Sequence, residues 1–565
     1  MFKQELINLI SKETALTQEQ VEKLIETPPN LELGDYAFPC FILSKKEKKS
    51  PVQIAEKLSI TLKDKLSTNF EKIQPQGPYL NFYINKKTLA KKIIKINGNY
   101  GKTNLGKKKK ILIDFSAPNI GKPMHIGHIR STIIGDSMMR IYDFLNYNPI
   151  GINYLGDVGL HIGKLIVAYE LWLDKKALTK DPVTELLRLY VKFCAKEKSE
   201  IKEGLDEEMQ DNEWTNKAKE KLKDLELGDK KTKKIWEDIH KHSGKGFDKV
   251  YDLLKVSFNE SVGQGQFGKK GKQVVIDGLE KNIIHREEDG ALFVYLDEKK
   301  EKKKYVLRSN ETATYTTYDL GAAVERFKKY QFNKMIYVTD FRQAEHFASL
   351  SLILKKLGYE FADNIVHLGF GTIKLGKEIM ATREGKVILL EDVLKKTIEK
   401  ANEGIKKRKT KGDPEKVGVG AIKYIILKNR PTEDVQFSWE NALSFEGNTG
   451  PYLQYSYARA SSILKKAENF NKGTVKIKEL SKEEIQLVSK ISKFPEVVEK
   501  AGETMNPSLI ANYSYDLCKT FNEFYHNCKV LESDNESFRL RLIESFRTCL
   551  KNALHLLGIE VMEEM

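Results

Sequence analysis

The sequence predicts a multidomain α/β protein in which a parallel-sheet domain (residues 107–390) stands between a small α+β unit (1–106) and an all-α unit (391–565). Three observations carry this. From Ile111 to about Val387, apolar runs of strand length alternate with stretches whose apolar residues recur at three and four, the pattern of parallel strands joined by crossover helices. Beyond Glu391 the strand-like runs vanish and helical spacing takes over. At the other end, two helical patterns frame short alternating runs and close on GNYGKTNLGKKKK, a linker by composition.

In chain order, Phe2 to Ile10 and Val52 to Leu66 read as helices, with LELGDYAFPC between them and strand-like residues from Ile73 to Ile84 around Gly77-Pro78. The first strand of the sheet starts at Ile111 and runs into the polar loop SAPNIGKP; a helix follows from Met124 to Leu145. Ile150 to Leu155 is a second strand, leading into GDVGLHIGKL. Near Lys176 the alternation stops. Lys/Glu-rich helical sequence continues to about residue 255 and short strands fill 263 to 307, so about 177–307 reads as an insertion between two halves of one sheet. The halves resume with a helix at Thr314 to Phe327 and strands at Met335 to Thr339 and Ile365 to Phe370. In the last helix Ile543, Phe546, Leu550, Leu554 and Leu557 keep helical spacing, and Gly558 stops it.

Composition narrows the class. A chain of 565 residues can bury about two to four cores. The net charge of +16, mostly from lysine, suits a polyanionic partner such as RNA, and equally describes a lysine-solvated surface. Cys40, Cys194, Cys518, Cys528 and Cys549 are odd in number and never in CxxC spacing, which argues against a disulfide framework and a cysteine zinc site and for a reducing compartment. The first 20 residues break their apolar pattern with charges and no 18 apolar residues follow one another, so no signal peptide or membrane span is expected and the expected location is the cytoplasm.

The residues that carry chemistry cluster after the first sheet strand. His125, Gly127 and His128 form an HxGH tetrapeptide that chance would supply about 0.01 times in such a chain. A helix N-terminus offers unpaired N–H groups and a positive dipole end to phosphate, and two histidines three apart can donate to the same oxygens. Gly127 lets a flat base or ribose approach the backbone. The plainer alternative is a pair of satisfied histidines. Tyr315 and Asp319 stand four apart at a helix start, where a phenol and a carboxylate can hold a guanidinium; the same residues could be a core tyrosine and a helix N-terminal charge. Asn119 and Gln343 are neutral polar groups at carboxyl ends of strands, where ligands of open α/β sheets sit, and either could instead order its loop. Tyr452, Tyr455 and Arg459 repeat at three and four, as a stacking and phosphate surface for unpaired bases or as a core stripe.

APNIGKPMHIGHIRSTIIGD, from Ala117 to Asp136, resembles the HIGH signature of class I aminoacyl-tRNA synthetases in its arginyl-tRNA synthetase version. Tyr315 to Asp319 is similar to the YxTxDL motif of that family. GDYAFP and GPYLNF resemble its N-terminal additional domain, and FEGNTGPYLQYSYARA with the tail FNEFYHNCKVL resembles its anticodon-binding domain. The resemblance implies a Rossmann-like catalytic domain that joins arginine to ATP as arginyl-adenylate and transfers it to the 3′-terminal adenosine of tRNA, typically with tRNA present for the first step. Mg²⁺ is expected to arrive with ATP, no dedicated protein metal site is evident in the sequence, and a monomer is expected.

By the same resemblance the catalytic residues are His125, His128, Lys122 and Arg383. ATP falls to His125, Gly127, His128, Met380 and Thr382; arginine to Asp114, Ala117, Asn119, His128, Tyr315, Asp319 and Gln343; tRNA to Tyr452, Tyr455, Arg459 and Asn81. Two departures stand out. Asp114 occupies the place of a glutamate. Ile379-Met380-Ala381-Thr382-Arg383-Glu384-Gly385 lies where the family often has KMSTRKG, with both lysines replaced, so Lys122 is expected to supply charge to the phosphates. A different HxGH nucleotidyl transferase and a non-catalytic tRNA-binding paralogue are the rival readings; the long helical C-terminal part opposes the first and the intact HxGH opposes the second.

Overall fold

Capping fixes the helix that covers the N-terminal sheet. Ser50 accepts from the Gln53 N–H and Gln53 returns the bond to the Ser50 N–H, a closed capping box that starts the helix Pro51–Lys63 with proline in its first turn. That helix packs on an antiparallel sheet of β1 (Tyr36–Pro39), β2 (Phe70–Gln76) and β3 (Tyr79–Ile84), in the order β1-β3-β2. The turn between β2 and β3 places Gly77 at φ +57°, a backbone state that glycine adopts without strain. β1 is a strand that the sequence did not announce: four residues, all buried, are too few to show an alternation.

The structure, a computed structural model, describes residues 2–28, 30–198, 200, 210–376, 388–467, 475 and 477–565. The chain packs as two units. One holds the N-terminal residues to Gly101 with Ser456–Val497 and Tyr513–Asn552; the other holds Lys102–Tyr455, Val498–Asn512 and Ala553–Met565. Within the first unit, Ser545 Oγ donates to the Ile93 carbonyl at 2.9 Å and the Tyr100 hydroxyl to that of Ile491 at 3.0 Å, so the α+β residues and the helical segments share one body.

The second unit is built on β4 (Lys110–Asp114), β5 (Asn148–Leu155), β6 (Glu260–Gly263), the antiparallel trio β7 (Ile284–Arg286), β8 (Leu292–Tyr295) and β9 (Lys303–Leu307), then β10 (Lys334–Asp340), β11 (Ile365–Phe370), β12 (Ile373–Leu375) and β13 (Val435–Phe437). Five of these form a parallel sheet in the order β11-β10-β4-β5-β6. Its central strands are buried on both faces, as their unbroken apolar runs require. The helix His128–Phe144 lies so close to the sheet that a Cβ on its Gly135 would come within 2.1 Å of Phe115 Cγ.

Three expectations change here. β6 falls inside the span read as an insertion, yet it pairs in parallel with β5 as the sheet's edge strand. Val274, Ile284, Val294 and Val306 share one core with Leu112, Leu320 and Met335, so the residues from 260 to 307 pack as part of the sheet domain. β13 is a strand beyond Glu391, where only helices were expected; it pairs in parallel with β12 through three residues. A segment of three or four residues carries no readable period, which is why neither strand shows in the sequence.

Candidate active site

The chain leaves β4 through two consecutive left-handed residues that are not glycine, Ser116 (φ +74°) and Ala117 (φ +49°). Such backbone costs about 1 to 3 kcal/mol per residue and persists only when its surroundings hold it. Here the Ser116 N–H donates to Ser131 Oγ at 2.8 Å, the Ala117 N–H to Asn153 Oδ1 at 3.2 Å, and the Ser116 and Tyr251 hydroxyls pair at 2.8 Å. The next residues are stitched to the end of β5: Gly156 N–H donates to the Pro118 carbonyl at 3.1 Å and Ile120 N–H to that of Gly156 at 2.9 Å. A Cβ on Gly156 would stand 2.1 Å from Asn119 Oδ1, so only glycine lets Asn119 lie across the strand end. Asn119 is exposed there, at the carboxyl edge of the sheet.

The HxGH residues come next, and the helix begins later than expected. Around His125 the chain bridges the segment Ile388–Leu390, with Ile126 N–H to the Ile388 carbonyl at 3.2 Å and Leu390 N–H to that of Met124 at 2.9 Å. The helix begins at His128, and its cap Gly127 already has helical backbone, φ −63° and ψ −27°. A Cβ on Gly127 would meet His125 Cε1 at 2.8 Å. The two imidazoles lie 4.0 Å apart, tilted by 41°. The His125 N–H donates to His128 Nδ1 and the Gly127 N–H to His125 Nδ1, each at 3.1 Å. An Nδ1 that accepts carries no proton, so each neutral ring bears its hydrogen on Nε2, free to donate outward.

Electrostatics keeps them neutral. Burial holds the His125 pKa below its ordinary value, and the nearby Lys122 ammonium lowers it further. Burial and the His125 ring bring that of His128 down to about 3. Lys122 itself lies over the Tyr190 ring at 4.4 Å, on the helix Pro182–Glu197. Because the folded value of His128 is below its ordinary 6.5, the unfolded chain binds that proton more readily between about pH 6.5 and 3. The stability tied to this ring is therefore complete above pH 6.5 and is lost as acid enters that window. We expect ¹⁵N NMR of histidine-labelled protein to show both rings as neutral Nε2–H tautomers at pH 7.5 and His128 still so at pH 5; a protonated His128 there would contradict the hydrogen-bond pattern.

The other wall is the helix Tyr315–Tyr330. Tyr315 opens it, half-exposed, and a Cβ on Gly159 would stand 3.2 Å from its hydroxyl. One turn on, Asp319 Oδ2 receives His346 Nε2 at 2.7 Å. Two turns further, Arg326 forms a buried ion pair with Asp114 at 2.8 Å and lies over the Tyr154 ring at 4.5 Å. Burial pushes the Asp114 carboxyl up, to about 6, against the opposing pull of Arg326. Gln343 ends the short turn Phe341–Gln343 after β10, exposed.

The structure thus gathers Asp114, Ala117, Asn119, Lys122, His125, Gly127, His128, Tyr315, Asp319 and Gln343 around the carboxyl ends of β4, β5 and β10. Met380, Thr382 and Arg383 lie outside the described residues; the chain re-enters description at Ile388, beside the HxGH turn. Asn81 is 4% exposed and donates to Gln76 Oε1 at 3.1 Å inside the N-terminal sheet, so its side chain faces no solvent. Tyr452, Tyr455 and Arg459 are the half-open positions of the helix Gly450–Lys466, which is otherwise buried from Pro451 to Ala460. In the first unit Arg459 donates to Asn522 Oδ1 at 2.7 Å and stands 5.6 Å from the Tyr525 ring. His346 and Arg326 were not singled out from sequence. Both were visible as polar residues at helical spacing from chosen ones, His346 three after Gln343 and Arg326 seven after Asp319.

Comparison with known proteins places this arrangement. A strained loop, an HxGH turn and a parallel sheet are matched, over residues 90–439, by the model of the tRNA synthetases class I (R), catalytic domain. The arginyl tRNA synthetase N terminal domain matches residues 1–84 and the DALR anticodon binding domain residues 453–565. The chain is 40% identical to the arginine–tRNA ligase of Clostridium botulinum and 39% identical to that of Clostridium perfringens, each alignment covering 100% of both chains. Among solved structures, arginyl-tRNA synthetase of Plasmodium falciparum superposes with a TM-score of 0.79 at 28% identity, covering 100% of this chain and 98% of that one. The Thermus thermophilus arginyl-tRNA synthetase shares the fold, with a TM-score of 0.82 at 24% identity over 100% of both chains. The chain belongs to the arginyl-tRNA synthetase family.

Proposed function

We infer that the protein activates arginine with ATP and esterifies it to tRNA. One observation carries the site assignment: the two neutral imidazoles of the HxGH turn and the Asp319 carboxylate stand at carboxyl ends of the same sheet, one fit for phosphate and the other for a cationic side chain. In the first step the arginine carboxylate attacks the α-phosphate in line, forming the mixed anhydride and releasing pyrophosphate. This asks for positioning and charge stabilisation rather than a protein base.

His125 and His128 donate their Nε2–H groups to the phosphate oxygens as charge develops, with Lys122 and Arg383 adding positive field. Gly127, Met380 and Thr382 bed the nucleotide. Tyr315 and Asp319 take the guanidinium, while Asn119 and Gln343 take the α-amino group; Ala117 shapes the floor. Asp114 acts through Arg326, as a buried counter-charge under the pocket rather than as a direct partner of the substrate. In the second step the ribose hydroxyl of the terminal adenosine attacks the arginyl carbonyl and AMP leaves.

Mg²⁺ supplies charge neutralisation on the pyrophosphate. The donors of the HxGH turn suit phosphate oxygens rather than a cation, so Mg²⁺ would be carried by ATP. Tyr452, Tyr455 and Arg459 offer aromatic and cationic surface to tRNA, and Asn81 supports its strand from inside. The domain limits 1–106, 107–390 and 391–565 remain our functional division. Among the described residues no helix is long and apolar enough to cross a membrane, and the chemistry belongs with tRNA and ATP in the cytoplasm. We propose a monomer as the working state.

An ATP–pyrophosphate exchange assay with each amino acid, with and without tRNA, tests this reading. Arginine-dependent exchange that appears only with tRNA is the expected result. Exchange with another amino acid, or none under any condition, would favour the rival readings.

A further inference from the structure

A carboxylate that must present both oxygens to a planar guanidinium has two free torsions, and at a helix start nothing in the backbone fixes its plane. Asp319 is not left so. His346 Nε2 stands 2.7 Å from its Oδ2, and because a carboxylate only accepts, that nitrogen carries the hydrogen. The pair is largely enclosed, with side chains 22% and 15% exposed. The imidazole meets the Phe347 ring edge-on at 5.1 Å, and Phe347 is in turn stacked between Tyr337 at 4.5 Å and His367 at 5.1 Å, on β10 and β11. The anchor is therefore rooted in the sheet. His346 also belongs to the helix Ala344–Lys356, whose cap is Gln343. One element thus touches both ends of the pocket, Gln343 at its mouth and His346 behind Asp319.

We infer that His346 is a positioning residue: it holds the Asp319 carboxylate in the plane that receives a guanidinium, in register with Gln343, and so sets affinity for arginine and its preference over lysine. This rests on the reading of Asp319 given above. Lysine, a point charge, needs no particular carboxylate plane, whereas the guanidinium fork does. Losing the anchor therefore weakens arginine binding more than lysine binding and leaves the phosphate chemistry alone.

The test uses the full chain with tRNA in pyrophosphate exchange. His346→Phe keeps the ring against Phe347 and removes the donor; His346→Gln restores an N–H donor. For His346→Phe, KM for arginine should rise about tenfold or more, the worth of a hydrogen bond to a charged group, with kcat and KM for ATP within about twofold. The arginine-over-lysine ratio of kcat/KM should fall with it, and His346→Gln should recover most of both. If kcat and KM for ATP move together in both variants, or if KM for arginine stays put in His346→Phe, the inference is overturned. Asp319→Asn run alongside separates the two claims: a collapse there with an unmoved His346→Phe sinks only the anchor, whereas an unaffected Asp319→Asn sinks the pocket itself.

Discussion

Replacing Asp319 by asparagine lowers kcat/KM for arginine by about two to four orders of magnitude. The substitution keeps shape and removes the carboxylate proposed for the guanidinium, while Asp114 is held in a buried ion pair with the Arg326 guanidinium at 2.8 Å. A cation left in a largely closed pocket without its counter-charge costs about 3 to 5 kcal/mol, which is the stated range in rate. Asp114 is only 3% exposed and bound to Arg326, so it does not take over. Discrimination against lysine falls as well, since lysine is rejected mainly through what it leaves unpaired. Steady-state exchange kinetics with both amino acids read this out; an arginine loss below about tenfold, equivalent to roughly 1.4 kcal/mol, would return Asp319 to the role of a helix-start charge.

Changing His128 or His125 to alanine lowers kcat for adenylate formation by about 10² to 10³-fold, with little change in KM for arginine. The two Nε2–H donors are neutral and preorganised by backbone N–H groups, so they incur no reorganisation penalty when charge builds on the phosphate. The interaction strengthens only as the transition state forms, which is why the loss falls on kcat. The effect in His128→Ala should be the larger in acid-sensitive stability too, because it removes the ring that resists protonation. Single-turnover formation of adenylate separates these cases, and an unchanged rate in both variants contradicts the assignment.

What could be read from the sequence follows the length over which a pattern repeats. β4 and β10 were visible because strands buried on both faces write unbroken apolar runs such as Ile111-Leu112-Ile113. β1, β6 and β13 were not, because three or four residues hold no period. The HxGH turn was given to a helix from Met124, yet the helix starts four residues later, at His128, since pairing with Ile388–Leu390, more than 260 residues away, holds His125 in a bridge. Long-range partners were the blind spot in the site as well. Asp319 meets His346 across 27 residues, and Asp114 meets Arg326 across the sheet; neither pairing has a local signature. Asn81 shows the converse, a polar residue in a motif whose side chain donates to Gln76 on the neighbouring strand β2.

The central claim, that this pocket selects a guanidinium and the chain delivers it to tRNA, is tested most directly by charging unfractionated tRNA with each labelled amino acid in turn. The account predicts acid-precipitable ester with arginine, none above background with lysine, and loss of the arginine signal in Asp319→Asn. Charging with a different amino acid, or arginine charging that survives Asp319→Asn unchanged, would contradict it.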